Sequence, residues 1–409
     1  MDVLIERCAG LDVHKRVIVA TIRSPGETKA RRAATRSWAT TTASLLDLAA
    51  WLASERVSHV AMESTGVYWR PVYAVLEADF TVLLVNARQV KHVPGRKTDV
   101  RDSDWLAQLL ECGLLKPSFI PPPPIRDLRD LTRYRKVLIR ERARHVNRVE
   151  KTLELAQVKL GSVVTDLMGQ TGRAILDALI DGSHDPAYLA SLAKGLLKKK
   201  TAAIQAAVAV PLTPHYAFLL TQQLRLIDDL ATHIADFDVQ IERCMAPFAT
   251  AQALVCSAPG IAARASQAIL AEIGTDMTRF PTSRHLASWA RVCPGTHESA
   301  GKRHSTRTGK ANSWLRATLN EAAWAASRTK RSYYHALYLR MKARQGPKKA
   351  IGAVQHALLT AIWHILSRQV PHHDLGPEHF AHRDLDRVRR HHTRRLEQLG
   401  YRVTIEPAA

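Results

Sequence analysis

Four acidic side chains in the first quarter of the chain have types and positions suited to metal-dependent chemistry on phosphodiesters. Asp12 lies in a strand-like run, AGLDVHK, and Glu63 ends a second apolar run in HVAMESTG. Asp99 and Asp102 open a helical pattern three residues apart, which predicts both carboxylates on one helix face. Carboxylates repel one another, and a divalent cation removes that penalty while also binding substrate phosphate. The spacing indicates a metal site; the alternative is coincidence among 37 acidic residues.

A second candidate site lies in residues 293–324, CPGTHESAGKRHSTRTGKANSWLRATLNEAAW. Ser299 stands in a Gly-containing basic loop, ahead of a helix predicted from about Asn312. Its hydroxyl could be a phosphate ligand, a turn residue or a nucleophile. The residues alone favour the turn, because serine is common in glycine-rich loops.

Residues 1–118 have an α/β pattern that must position the acids. β-Branched residues predict strands, and the runs between them predict helices. The predicted strands are Cys8–Val13, Val17–Ile22, Val57–Met62 and Phe80–Val85, and the predicted helices are Ser44–Ser54 and Val72–Ala78. Gly10 and Gly66 suggest sharp turns beside Asp12 and Glu63. A three-stranded meander followed by alternating strands and helices is typical of an RNase H-like sheet, with Asp12 and Glu63 on neighbouring strands.

The prolines from Pro121 to Pro124 predict a stiff linker and a domain boundary. Residues 119–245 then form a helical region, with long helices predicted at Arg126–Leu155 and Leu219–Arg243 and short helices between them. The second long pattern spaces its apolar residues by three and four, which is typical of a coiled-coil seam. Three alternatives stay open: self-association, burial within one domain, and an antiparallel hairpin of the two long helices.

Residues 246–370 are predicted to be a third, helical region, and 371–409 a basic, histidine-rich tail or surface helix. The segment LVCSAPGIAARASQAILAEIG resembles a helix-hairpin-helix, in which turn N–H groups bind phosphate. Ala262 replaces the usual second glycine, and an ordinary helical turn is the alternative.

Composition indicates a polyanionic partner. The chain carries 59 Lys+Arg against 37 Asp+Glu, for a net charge of +22. Residues 301–349 supply thirteen of the basic residues and one acid, Glu321, with aromatics interleaved that could stack on bases. A solvated surface is the alternative for this charge run.

The location expected from the sequence is cytoplasmic and nucleoid-associated. No 18-residue apolar span and no signal peptide are apparent, and five scattered cysteines without a C-x-x-C pair predict free thiols rather than disulfides or a zinc site.

In combination, these segments resemble insertion-sequence transposases that join a RuvC-like DEDD domain to a C-terminal serine-bearing domain. These are the bridge-RNA-guided recombinases related to the Piv invertase. The resemblance rests on GLDVHK, ESTGVYW and KTDVRDSDWLAQLL in the first domain. It continues through TGRAILDALIDGSHDPAYLASLAKG to RHLASWARVCPGTHESAGKRHSTRTGKANSWLRATLNEAA. The fold it implies is an α/β RNase H/RuvC-like N-terminal domain, a mostly α-helical coiled-coil region and an α-helical C-terminal transposase domain.

The resemblance implies roles for individual residues. Asp12, Glu63, Asp99 and Asp102 would hold Mg²⁺, with Mn²⁺ as the alternative ion, and Ser299 would be the nucleophile. The family's serine usually stands in Gln-Ser-Gly, whereas this chain has Glu-Ser-Ala-Gly. The expected nucleic-acid-binding residues are Lys302, Arg303, Arg307, Lys310 and Arg316. Asp104 is expected on a different helix face from Asp102, with a surface role.

Partners follow from the same resemblance: double-stranded donor and target DNA, an element-encoded guide RNA, and further copies of the chain in a dimer or tetramer. The leading hypothesis is a DNA recombinase that excises and inserts its own element. The alternatives are a RuvC-like metal-dependent nuclease or junction resolvase without a serine intermediate, and a non-catalytic nucleic-acid-binding protein.

Overall fold

The computed structural model describes residues 3–26, 30–64, 66–86, 102–295, 297–299, 302–305, 308–309, 312–380 and 385–405. The chain forms two compact units, Met1–Ile120 and Pro121–Ala409, each with most of its contacts within itself. The first unit ends two residues beyond the predicted boundary at 118. The finer division of the second unit at 245 and 370 stays a prediction.

A five-stranded mixed sheet with helices on both faces forms the first unit. Its strands are β1 (Cys8–Val13), β2 (Val17–Pro25), β3 (Arg31–Ala39), β4 (His59–Glu63) and β5 (Thr81–Val85). Its described helices are α1 (Thr42–Ser54), α2 (Trp69–Leu76) and α3 (Asp102–Glu111). The strand order is β3-β2-β1-β4-β5. Strands β1, β2 and β3 pair antiparallel, whereas β4 runs parallel to β1 and β5 parallel to β4.

Alternation along the strands assigns each helix to a face of the sheet. Leu11 belongs to a core shared with Leu48 of α1 and Val72 of α2. Cys8, on the opposite face of β1, packs with Leu110 of α3. The sheet therefore separates α1 and α2 from α3.

Gly10 lies within strand β1, so the predicted turn at this residue is wrong. A Cβ at Gly10 would lie 2.1 Å from the Ser103 carbonyl oxygen and 2.5 Å from the Ala107 nitrogen. The glycine is thus explained by the close approach of α3 to the strand. Gly66, in contrast, has a φ of +54° and does occupy a turn.

Helices account for most of the second unit. They begin with α4 (Pro123–Leu155), α5 (Leu160–Val163), α6 (Gln170–Ile180), α7 (Pro186–Ser191), α8 (Thr201–Ala207) and α9 (Pro214–Met245). They continue with α10 (Ala249–Cys256), α11 (Ala263–Ile273), α12 (Ser283–Trp289), α13 (Ser313–Arg328), α14 (Tyr333–Gln345), α15 (Pro347–Arg368) and α16 (Leu385–Gln398). Short 3₁₀ segments occur at Gly195–Lys200, Ala246–Phe248 and Met277–Arg279, and a hairpin pairs β6 (His297–Ser299) with β7 (Lys302–Ser305).

Two of the four linker prolines open a helix instead of excluding one. Pro123 and Pro124 occupy the first turn of α4, where a missing N–H costs nothing because that group has no partner within the helix. The prediction that the whole run lies outside a helix was therefore wrong by two residues.

The long helices α4 and α9 form an antiparallel hairpin within one chain. Near its open end Tyr134 stacks on Phe237 with ring centroids 5.1 Å apart. Near the other end Thr152 accepts a hydrogen bond from the Gln223 amide at 3.0 Å. Among the seam residues of α9, Leu220, Ile227, Ile234 and Ile241 are buried. Of the three alternatives the intrachain hairpin is confirmed, and self-association no longer has this seam as its basis.

Helix α15 is the buried centre of the C-terminal helices and contacts α10, α12, α13 and α14. It is also long and apolar enough to cross a membrane by length and composition, with a mean hydropathy of 1.3 over an 18-residue window. Half of that window is buried inside the protein, as in the core helix of a globular domain.

Candidate active site

The sheet places Asp12 and Glu63 at equivalent positions. The parallel register of β1 and β4 pairs Leu11 with Met62, and Asp12 and Glu63 are the next residues on the two strands. Adjacent strands lie about 4.8 Å apart, and side chains at equivalent positions of parallel strands point to the same face. The two carboxylates therefore lie at the carboxyl ends of neighbouring strands, on the same face of the sheet.

That face is the one covered by α3. The Cys8 thiol donates a weak hydrogen bond to the Ala107 carbonyl at 3.5 Å, and Gly10 lies against Ser103. Moving along β1 toward its carboxyl end thus corresponds to moving along α3 toward its beginning. Asp102, the first residue of α3, lies at the end of the sheet that carries Asp12. Three of the four predicted acids therefore lie toward the same end of the same face of the sheet.

A partly buried polar network fixes α3 against strands β2 and β3. Arg23 donates to Asp104 at 2.9 Å and to Glu111 at 2.6 Å, while Arg31 lies 3.1 Å from Glu111. Burial lowers the pKa of Arg23, but its hydrogen bonds to Glu111 and Asp104 outweigh this effect and raise the pKa above its ordinary value. The expected surface role of Asp104 was wrong, because its side chain is a partner in this network.

The donor chemistry of the acids fits a hard divalent cation, since every predicted ligand is a carboxylate oxygen. Within the described parts of the chain, no group of three or more His, Cys, Asp or Glu side chains is close enough to hold a metal ion. Asp99 lies outside those residues, so its predicted place beside Asp102 on a helix face stays a prediction. His14 Nε2 lies 3.0 Å from Asp12 Oδ2. A cation bound to this carboxylate would therefore have to displace the imidazole or bind beside it.

Ser299 ends strand β6 of a short antiparallel hairpin that sequence patterns did not predict. Its backbone pairs with Lys302, and Glu298 pairs with Arg303. Ala300 and Gly301, between the paired positions, lie outside the described residues, as do Arg307 and Lys310 and the side chains of Ser299, Lys302 and Arg303. The hairpin shows where the backbone of the candidate nucleophile runs.

The helix after this hairpin begins where predicted. Asn312 caps α13, and its side-chain oxygen accepts from the backbone N–H groups of Trp314 at 3.0 Å and Leu315 at 3.3 Å. Arg316, a predicted nucleic-acid ligand, is exposed and donates to Thr308 Oγ1 at 3.2 Å.

Sequence reasoning missed a buried charge that supports this helix start. Glu272 of α11 is 2% exposed and accepts two hydrogen bonds from Arg133, at 2.7 and 2.8 Å, and one from the Asn312 amide. Arg129 donates to the Glu272 carbonyl at 2.7 Å. An acid inside the apolar run SQAILAEIG is the sequence signal that could have revealed it, because buried acids need partners.

One predicted base-stacking aromatic is buried, and the glycine of the predicted phosphate-binding turn has a packing role. Tyr334, counted among the aromatics that could stack on bases, is 1% exposed and packs on His372 with ring centroids 5.6 Å apart. Gly260, in the hairpin turn between α10 and α11, would place a Cβ 2.4 Å from the Ala322 carbonyl. This glycine permits close packing on α13, and phosphate binding by the turn stays a prediction.

Two separate regions of the chain match known sequence families. Residues 9–157 match the sequence family DEDD_Tnp_IS110, described as a transposase. Residues 252–339 match Transposase_20, described as a transposase of the IS116/IS110/IS902 family. The chain is also 27% identical to "Putative transposase y4rJ" of Sinorhizobium fredii (strain NBRC 101917 / NGR234), over 65% of this chain and 65% of that protein. The match thus spans just under two-thirds of the relative's length.

The first family match includes the sheet, α3 and α4, and the second includes α11, the β6–β7 hairpin and α13. Two separate regions of this chain are thus similar to transposase domains, one to the DEDD domain and one to the Transposase_20 domain.

Proposed function

We propose that this protein is a DNA transposase that excises and inserts its own mobile element through attack of Ser299 on DNA. The observation that supports the proposal is that Asp12 and Glu63 stand at equivalent positions of two adjacent parallel strands, on the sheet face that α3 covers. The two transposase family matches support it independently. The first unit is, on this proposal, an RNase H/RuvC-like domain.

The four acids Asp12, Glu63, Asp99 and Asp102 would hold a divalent cation through carboxylate oxygens. Mg²⁺ suits such ligands because it keeps several waters and binds substrate phosphate, and Mn²⁺ accepts the same donors. A bound cation would polarise the scissile phosphate and stabilise the charge that builds on it.

Ser299 supplies the nucleophile. Its Oγ forms a bond to phosphorus and gives its proton to water, while the bond from phosphorus to one deoxyribose oxygen breaks and that oxygen takes a proton from water to leave as a hydroxyl. A hydroxyl of a second strand then attacks the phosphoserine ester and regenerates the serine. Because a phosphodiester is exchanged for an ester of similar energy, strands can be rejoined without an external energy source.

Backbone contacts would come from the basic residues around the serine, Lys302, Arg303, Arg307, Lys310 and Arg316. Arginine and lysine bind phosphate oxygens through charge-assisted hydrogen bonds. Sequence would be read mainly by pairing with an element-encoded RNA, while the protein grips the backbone of donor and target DNA in an assembly of two or four chains.

The deciding experiment compares wild-type protein with Ser299→Ala and Asp12→Asn on donor DNA with the element's flanking RNA and Mg²⁺. We expect a DNA-linked peptide containing Ser299 by mass spectrometry in the wild type, and no such adduct in either variant. A Ser299→Ala protein that still cuts and rejoins DNA would contradict the proposal.

A metal-dependent nuclease such as a junction resolvase is the second candidate, because the register of β1 and β4 places Asp12 and Glu63 at equivalent positions whatever the role of the serine. It predicts that Ser299→Ala keeps full cleavage activity while Asp12→Asn loses it.

A further inference from the structure

One face of helix α4 carries basic side chains along most of its length. Residues separated by three, four or seven positions lie on the same face of a helix. We call the following residues the basic row of α4: Arg129, Arg133, Lys136, Arg140, Arg144, Arg148 and Lys151.

The first half of the basic row is neutralised within the protein. Arg133 binds the buried Glu272 carboxylate, and Arg129 lies 3.6 Å from the same group. Lys136 donates to Thr318 Oγ1 at 3.1 Å and lies 3.2 Å from Glu321. These partners all belong to α11 and α13, which cover this half of the row.

The cover ends at Trp314, in the first turn of α13. The guanidinium groups of Arg133 and Arg140 lie 5.9 Å and 5.1 Å from the centre of the Trp314 ring. Arg140 is already exposed to solvent, so the ring marks the point at which the basic row leaves the covering helices.

The second half of the basic row is bare. Arg144, Arg148 and Lys151 are exposed, and none of them has a hydrogen bond or ion pair with the described part of the chain. Between positions 140 and 151 the helix has five Lys/Arg residues and two Glu, and the nearby Glu154 is paired with Lys159. This half therefore presents a net positive charge without an internal counter-ion.

We propose that Arg140, Arg144, Arg148 and Lys151 bind the phosphate backbone of the DNA duplex on which Ser299 acts. A helix rises about 1.5 Å per residue, so these residues span about 16 Å, or about five base pairs at 3.4 Å each. Trp314 lies in the first turn of the helix that follows the β6–β7 hairpin along the chain, so the bare half of the row starts beside the helix that comes after the serine-bearing hairpin. The identity of the duplex as substrate DNA rests on the proposed function.

The test measures binding of the full chain to a fluorescent DNA duplex of about 30 base pairs by anisotropy at several salt concentrations. The test variant combines Arg144→Ala, Arg148→Ala and Lys151→Ala, none of which removes an internal contact. The control combines Lys194→Ala, Lys198→Ala and Lys199→Ala, three exposed lysines on the Gly195–Lys200 segment and its flank. Both variants lose the same net charge.

The test variant should bind at least tenfold more weakly near physiological salt, and its log–log salt slope should fall by about 2.7, since each lost phosphate contact contributes about 0.9. The control should change affinity less than about threefold. Unchanged affinity and slope in the test variant, equal weakening in the two variants, or weakening seen only with an RNA duplex of the same sequence would each overturn the proposal. Weakened DNA binding in a protein whose wild type forms no Ser299 adduct would support this surface and refute the serine mechanism.

Discussion

The two regions that carry the candidate chemistry hold their functional residues by different means. In the first unit, Asp12 and Glu63 are placed by the backbone register of β1 and β4, and α3 approaches so closely that only a glycine fits at position 10. In the second unit, the start of α13 is held by side chains, through the Asn312 cap and the buried Glu272–Arg133 pair. Main-chain register tolerates substitution at most positions, whereas a buried ion pair depends on each partner.

The comparison predicts that Glu272→Ala has the largest effect on stability. It leaves the partly exposed Arg133 guanidinium without its counter-ion, and because only the Glu272 side of the pair is fully buried, the expected cost is about 3 kcal/mol, the low end for a broken buried pair. Hydrogen exchange measured by mass spectrometry should show faster exchange in α4, α11 and α13 and no change in the sheet.

Glu321→Ala is the matched control for that variant. It removes the partner of Lys136 on the same helix surface, but the Glu321 side chain is 70% exposed, and such pairs contribute about 0–1 kcal/mol. If both variants have equally small effects, side-chain charge does not hold this region together.

Gly10→Ala should have the next largest effect, confined to the first unit. The added Cβ would collide with the Ser103 carbonyl and force α3 away from β1, and overpacking of this kind costs about 1–3 kcal/mol. Exchange should rise in β1 and α3, and DNA cleavage should fall because Asp102 moves with the helix. Gly352→Ala in α15, where a Cβ has no neighbour within 4 Å, should leave stability the same or slightly higher.

Asn312→Ala should cost about 1 kcal/mol, the typical value of a helix N-cap. Its amide also contacts Glu272, so the loss should speed exchange at the start of α13. Asn312→Ser, which keeps a capping oxygen, should recover most of the stability; failure to recover would mean that the contact with Glu272 matters more than the cap.

Acid should weaken the second unit by a smaller amount. Burial lowers the pKa of His356, His364 and His372 below the ordinary histidine value. A folded state with a lowered pKa binds fewer protons than the unfolded chain, so the stability is complete above about pH 6.5 and is lost as the pH falls through the folded pKa. Thermal melts from pH 7.5 to 5 should show this decline, and His372→Gln should make it shallower.

How far the sequence predicted the fold depended on how strongly burial patterned each segment. Strand β1 has the predicted bounds because it is buried and mostly apolar. Strand β3, RRAATRSWA, is a largely exposed edge strand with almost no β-branched residues, so periodicity had no signal there. The polar β6–β7 hairpin was missed for the same reason.

The candidate site shows the same limit. Acids that interrupt apolar strands stand out in a sequence, and Asp12 and Glu63 were assigned to neighbouring strands correctly. The heptad pattern of α9 described an apolar seam but not its partner, since an intrachain helix and a second chain require the same spacing. Glu272 and Arg133 are 139 residues apart, and no local pattern joins residues that only the tertiary fold brings together.

The α4–α9 hairpin limits where residues can be inserted into or deleted from this part of the chain. Helix α4 has 33 residues and so extends about 50 Å, and the chain returns along α9 to the end from which it left. Residues 156–213 therefore all lie at the far end of this arm of two helices. Removing about seven residues from each helix would shorten the arm by about 10 Å. It would keep the apolar seam between α4 and α9, and the open end of their hairpin, in register. Reach can thus be altered by evolution or by design, but a deletion of this length in the exposed half of α4 also removes basic residues such as Arg144 and Arg148.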